Sequence, residues 1–178
     1  IPYYFGREIS YKSKKKFLTC WSKIAKDISL NSNVFTHFDY HIDNLIWLKN
    51  RDKLNRVGIL DFQDALIAPP VYDLVSLLQD ARRDVSENLQ AKLINRYLRN
   101  YKGELEEFNF LYDCVGAQRN TRILGVFARL KLRDNKGSYL KYMDRVWQNL
   151  FRNLKNSKLK DLESSYEELI PEGIFDES

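Results

Sequence analysis

Both histidines of this chain fall inside His37-Phe38-Asp39-Tyr40-His41-Ile42-Asp43-Asn44, and an acidic segment follows in Ile59-Leu60-Asp61-Phe62-Gln63-Asp64. Read as H-x-D-x-x-x-x-N and then an apolar strand ending in Asp, these residues carry the chemistry of phosphoryl transfer. That reaction asks for metal-neutralised phosphates, an in-line nucleophile and a carboxylate near the acceptor hydroxyl. Asp39 is the candidate for the last role. Asn44 offers a neutral amide oxygen and Asp61 a carboxylate, and both are hard donors of the kind Mg²⁺ takes. Either motif alone is a weak signal; in this order, joined by a hairpin pattern, they form a specific one.

The remaining polar residues of the two segments have less definite roles. His37 reads as a buried histidine bonded to the loop backbone. His41 is either structural or close to the phosphates or the acceptor. Asp64 is either a supporting or metal-side group or an ordinary loop carboxylate. Asp73, farther along, reads as an anchor that caps its own helix or pins the loop. A zinc site on His37, His41 and Asp39 or Asp43 is a minor alternative, because that histidine spacing converges on a helix and this stretch reads as strand and loop. Arg119, Arg122, Arg129 and Arg133 share one arc of a helix. They form either a solvated face or a stripe for an acidic substrate or phosphate.

The elements that position these groups follow from periodicity. Tyr11 to Leu30 predicts an amphipathic helix, with Phe17, Leu18, Trp21, Ile24, Ala25 and Ile28 on one face and Lys12 to Lys16 solvated at its start. Val34-Phe35-Thr36 predicts a short strand. Leu45 to Leu48 and Arg56 to Leu60 predict an antiparallel hairpin that delivers Asp61 at its end. Pro69-Pro70 closes an irregular stretch. A helix is expected from Tyr72, and others at 88–101, 105–132 and 138–154. Beyond Lys160 every charged residue is acidic, which reads as a loosely packed tail or a short docking helix. The fold class expected is α+β and mostly helical. Residues 1–30 form a linker and first helix, 34–68 the catalytic and metal-binding hairpin region, 71–156 a helical bundle and 157–178 the acidic tail.

The chain has 178 residues, 44% of them hydrophobic, and a net charge of +5. That is enough for one domain or one large lobe with a real core. No run reaches the roughly 18 apolar residues of a membrane span. The positive charge suits anionic partners such as nucleotides or acidic sugars. Aromatic residues follow core spacings rather than alternating with basic ones, against a nucleic-acid binder. Cys20 and Cys114 lack metal-type spacing and read as reduced, buried thiols of a cytoplasmic protein. No signal peptide is visible, and a chain that opens on Ile reads as a piece of a longer protein. No Gly-rich phosphate loop occurs, nor a strand-borne Lys with a partner Glu. The order helix, hairpin, helical bundle is that of a kinase C-terminal lobe. It implies that a nucleotide-clamping N-terminal lobe of roughly 100 residues lies upstream, and that this chain alone does not turn over.

Asp39-Tyr40-His41-x-x-Asn44 resembles the catalytic loop of the aminoglycoside phosphotransferase and choline kinase superfamily. Gly58 to Ala65, Pro70 to Leu78, Gln118 to Asn120 and Leu124 to Leu130 resemble the bacterial anomeric kinases for N-acetylmuramate and N-acetylglucosamine. The resemblance implies ATP-dependent, Mg²⁺-dependent phosphorylation of a sugar's anomeric hydroxyl in cell-wall recycling. Asp39 would be the base, Asn44 and Asp61 would hold the metal, and His41 would lie at the nucleotide side. Two departures stand out. Asp43 occupies a position where a basic residue is expected in these sugar kinases. Gln63 replaces the Gly of a D-F-G triplet, which is ordinary for small-molecule kinases and argues against a protein kinase. Alternatives are a kinase for another hydroxylated metabolite, such as choline or an aminoglycoside, and a non-catalytic kinase-like binding module.

Overall fold

The computed structural model describes residues 5, 6 and 8–171. The described residues are mostly helical, with two small antiparallel ladders inserted between the helix Tyr11–Leu30 and the later helices. Helix α1, Tyr11–Leu30, starts where Ser10 Oγ accepts the Ser13 N–H at 3.0 Å, a cap worth about 1 kcal/mol. Its stripe buries Cys20 and Ile24. Strands β1, Val34–Thr36, β2, Leu45–Trp47, β3, Val57–Ile59, and β4, Leu66–Ala68, follow. The hairpin pairs β2 with β3 in the register Leu45↔Ile59, Ile46↔Gly58, Trp47↔Val57. Sequence reading gives no strand at 66–68, yet β4 pairs with β1, Val34 opposite Ala68 and Thr36 opposite Leu66. Three residues before a Pro-Pro are too few to show a period, and only the long-range partner makes them a strand.

Among the described residues five α-helices follow: α2, Tyr72–Leu78, α3, Glu87–Leu98, α4, Leu105–Asp134, α5, Met143–Leu154, and α6, Lys160–Leu169. The last stretch of the expected 88–101 helix is a turn, and the expected 138–154 helix begins as a 3₁₀ turn over Gly137–Tyr142. Helix α4 stops at Asn135, whose φ of 51° lets Lys136 N–H reach the Leu130 carbonyl at 2.9 Å, a left-handed cap that asparagine tolerates. Of the two readings of the acidic segment, the docking helix holds for Lys160–Leu169: α6 buries Leu162, Tyr166 and Leu169 and packs against α1. Residues 172–178 lie outside the described residues, as do 1–4 and 7.

Helix α4 is the axis of the bundle and packs along α5. The two approach closely at Gly116. A Cβ there would sit 2.6 Å from Asn153 Oδ1 and closer still to Asn153 Nδ2. Asn153 is engaged in a fully buried polar brace. Gln79, just past α2, donates to Asn153 Oδ1 at 2.9 Å, and its own Oε1 accepts from Asn153 Nδ2 at 3.0 Å and Asn120 Nδ2 at 2.7 Å. The brace ties α2, α4 and α5 together; its Gln79 and Asn153 amides bond each other at both ends, while Asn120 Oδ1 is buried without a partner, and buried polar networks of this kind favour one packing. Gly116→Ala is therefore expected to cost about 2–4 kcal/mol through displaced packing and broken amide bonds, despite alanine's better helix propensity. Urea denaturation gives the number, and an unchanged midpoint would contradict the close approach.

Burial also acts on ionisable groups of α4, Cys114 and Asp113 among them. The Cys114 thiol is fully buried and pushed up to about 12, so it is inert as a nucleophile. Asp113 is raised by burial from its ordinary 3.8 to about 6, against the Asn156 Nδ2 donor at 2.8 Å. Between those two values the folded chain keeps a proton that the unfolded chain has released. Stability from this group is thus present below about pH 4 and lost as pH rises to about 6. Asp113→Asn keeps an acceptor for Asn156 and removes the slope. The variant is expected to be more stable at pH 7 by at most about 3 kcal/mol and nearly unchanged at about pH 4, checked by denaturation at both.

Candidate active site

The loop between β1 and β2 is held by α2. Asp73, in the first turn of that helix, accepts the His37 N–H at Oδ2 (2.9 Å) and the Phe38 N–H at Oδ1 (3.0 Å). Of the two anchoring roles open to it, Asp73 takes the one across the fold. Phe38 needs the clamp, because its φ of 74° lies where a bulky residue costs about 1–3 kcal/mol. Its ring stacks on Tyr72 at 4.7 Å, and the Arg122 guanidinium stands 4.8 Å from its centroid. These contacts hold a turn that no single one would fix, and the turn presents Asp39.

His37 is buried with Nε2 2.7 Å from the Leu60 carbonyl, so it joins the two segments through the backbone. Among the described residues no group of three or more His, Cys, Asp or Glu converges as a metal cage.

Asn44 ends the 3₁₀ turn Ile42–Asn44. Its Nδ2 donates to the Asp39 carbonyl at 3.0 Å, and its own carbonyl accepts the Leu60 N–H at 2.9 Å. Asn44 and Leu60 therefore face each other at the open end of the hairpin, and Asp61 is the next residue. Asp61 has a φ of 62°. Among the described residues no hydrogen bond or ion pair engages its exposed carboxylate, and none engages Asn44 Oδ1. One amide oxygen and one carboxylate, both accessible, fit Mg²⁺, which keeps waters and takes substrate phosphates rather than needing an all-protein cage.

The Asp39 carboxylate is 42% exposed, with Oδ2 3.3 Å from His41 Nε2. That nitrogen also lies 3.4 Å from Asn44 Nδ2 and 3.3 Å from Arg82 Nη1. His41 itself is buried, and its Nε2 meets two polar groups of the loop, on Asp39 and Asn44, and Arg82 from the turn after α2. Asp64 is exposed and makes no ion pair among the described residues. Asp43 pairs with Arg83 at 2.7 Å, and that guanidinium holds its carboxyl below the usual range. The acidic residue standing where a basic one is expected is thus matched by a basic residue from elsewhere.

The arginine arc does not behave as one face. Arg129 and Arg133 are exposed, and Arg133 pairs with Asp134. Arg119 is only 4% exposed, which corrects the solvated-face reading for that residue. Helix α4 is covered on most of its circumference there, with Cys114, Val115, Gly116, Ala117, Arg119 and Asn120 all buried. Arg119 Nη1 donates to the Gln79 carbonyl at 3.4 Å. A cavity of about 250 Å³ lies between Asp39, Arg82, Arg119 and Arg122. Sequence reasoning missed Arg82 and Arg83. Both follow α2 in a turn, and only the fold brings them to the loop. The adjacent basic pair directly after a helix is the one local signal that could have pointed to them.

Comparison with known sequences identifies the family of the chain. The phosphotransferase enzyme family matches residues 14–111. The chain is 40% identical over 169 residues to an N-acetylmuramate/N-acetylglucosamine kinase of Caulobacter vibrioides, covering 93% of this chain and 46% of that one. It is 32% identical to a kinase of the same name from Neisseria meningitidis, over 79% of this chain and 45% of the relative. A third, from Pseudomonas aeruginosa, is 31% identical over 83% and 46% respectively. The chain spans about half the length of these curated relatives. On the extent of the family match, the chain belongs to the phosphotransferase enzyme family.

Proposed function

We propose that this chain is the acceptor-side and metal-side lobe of an ATP-dependent, Mg²⁺-dependent sugar kinase that phosphorylates the anomeric hydroxyl of N-acetylmuramate or N-acetylglucosamine. The supporting observation is the hairpin that sets Asn44 opposite Leu60, the residue before Asp61, with Asn44 Nδ2 bonded to the Asp39 carbonyl. In this reading Asp39 accepts the proton of the attacking hydroxyl. Asn44 Oδ1 and the Asp61 carboxylate hold Mg²⁺, which neutralises the nucleotide phosphates when bound. His41 supports Asp39 and Asn44 from below. His37 and Asp73 hold the loop, and Asp64 stays at the margin of the metal side.

The nucleotide also needs a cover. Phe35, Trp47 and Ile67 on the ladders, and Phe62 between β3 and β4, are 74%, 61%, 58% and 68% exposed, apolar side chains suited to cover by an adenine ring and an N-terminal lobe. No helix among the described residues is long and apolar enough to cross a membrane, and a cytoplasmic role in cell-wall recycling fits the proposed substrates.

The test uses the chain extended to the length of its relatives, incubated with ATP, Mg²⁺ and single acceptors, with products followed by phosphorus NMR. The acceptors are N-acetylmuramate, N-acetylglucosamine, choline and an aminoglycoside. A sugar 1-phosphate from the amino sugars is the expected result. Product only from a cationic acceptor would move the substrate class. Bound ATP without product from any acceptor would favour a non-catalytic kinase-like module.

A further inference from the structure

Arg119 is a buried cation without a counter-ion. It is 4% exposed, its Nε has no hydrogen-bond partner, and its one polar contact is the Gln79 carbonyl. Among the described residues no carboxylate lies within ion-pair distance of Arg119, Arg122 or Arg82. A guanidinium kept from water and unpaired is strongly destabilising, and its charge cannot be removed by deprotonation. The cavity it lines carries three arginines against two carboxylates, Asp39 and Asp80. Asp80 is turned inward to its own backbone turn, where Oδ1 accepts the Arg82 N–H at 2.9 Å. The remaining wall is apolar, with Ile123 and Val126. Arg122 is held over Phe38, on the loop that presents Asp39. The Tyr72 hydroxyl, buried behind the same ring, also lacks a partner.

We propose that this cavity is an anion subsite of the acceptor site. Arg119 is its buried anchor, Arg122 and Arg82 are its rim, and it takes a carboxylate carried by the acceptor while the acceptor hydroxyl lies at Asp39. The assignment rests on the kinase reading for the word acceptor, but the carboxylate site itself does not require turnover. It predicts a preference for a hydroxylated substrate bearing a carboxylate over the same ring without one. The fork of an arginine matches a carboxylate with two parallel hydrogen bonds, which lysine does not reproduce.

The experiment is a binding titration on the full-length protein without nucleotide, read by ligand-observed NMR. The probes are N-acetylmuramate, its neutral methyl ester, N-acetylglucosamine, and lactate against lactamide. N-acetylmuramate is expected to bind about tenfold more tightly than its ester and than N-acetylglucosamine. Arg122→Gln is expected to reduce that ratio to about twofold. Arg119→Lys tests the anchor, and if it fails to fold, the ester comparison and Arg122→Gln still decide. Equal binding of acid and ester, or a ratio unmoved by Arg122→Gln, overturns the subsite while leaving the kinase reading intact. Lactate binding that depends on Arg122, with no sugar bound, keeps the subsite and removes the amino-sugar reading. No carboxylate-dependent binding of any probe overturns the subsite.

Discussion

Asp39→Asn is expected to lower turnover of the full-length enzyme by about 10²–10⁴-fold and to leave Mg²⁺-nucleotide affinity within about twofold of the wild type, since charge is removed only on the acceptor side. The asymmetry follows from which atoms of Asp39 do what. Its backbone carbonyl receives Asn44 Nδ2 at 3.0 Å and so orients the neighbouring amide. Its side chain makes no such bond to Asn44 and faces the cavity. An amide of the same shape keeps the first function and cannot accept a proton in the second. Steady-state kinetics and a nucleotide titration on the same preparation check both halves. A parallel loss of nucleotide affinity would mean that Asp39 belongs to the metal side.

Removing the Asp61 charge should do the opposite. Asp61→Asn is the informative substitution, because the residue has a φ of 62° and asparagine tolerates that conformation where alanine would add backbone strain. Mg²⁺-dependent nucleotide binding is expected to fall by more than about 100-fold, beyond the 10–100-fold typical of residues that only support a metal ligand. Metal-independent binding of the nucleoside should survive. Titration of ATP with and without Mg²⁺ separates the two, and a variant that binds Mg²⁺-ATP normally would remove Asp61 from the metal role. Together the two variants divide the loop into a proton-accepting side and a charge-neutralising side.

The helices were legible because α1, α2 and α5 each bury one stripe, and a stripe leaves a period in the sequence. The β2–β3 hairpin was legible for a similar reason, with apolar runs on either side of a polar turn. Asp73 could be recognised as an anchor but not aimed, since capping its own helix and reaching the loop look alike from its position. What the sequence hid depends on distance along the chain. Strand β4 exists only through β1, and the amide brace joins Gln79 to Asn120 and Asn153. The burial of Arg119 was hidden because α4 is covered on several sides at once. A helix buried that way has weak periodicity, and a charge within it looks like any surface charge. Arg82 and Arg83 meet His41 and Asp43 only after α2 folds back.

The region bearing Asp39, Asn44 and Asp61 hangs on two ladders of three residue pairs each, plus the Asp73 clamp. The helical bundle beside it has continuous buried clusters. Amide protons of the ladders should therefore exchange with solvent through openings far smaller than global unfolding, while those of α4 and α5 exchange only when the whole bundle comes apart. The hairpin would then act as a separately breathing unit mounted on a rigid base. Rigidity at the proposed reacting groups would come from what binds them as well as from the fold beneath, so substrate or partner binding should appear first as slowed exchange at residues 37–61 rather than as a rise in the melting of the bundle.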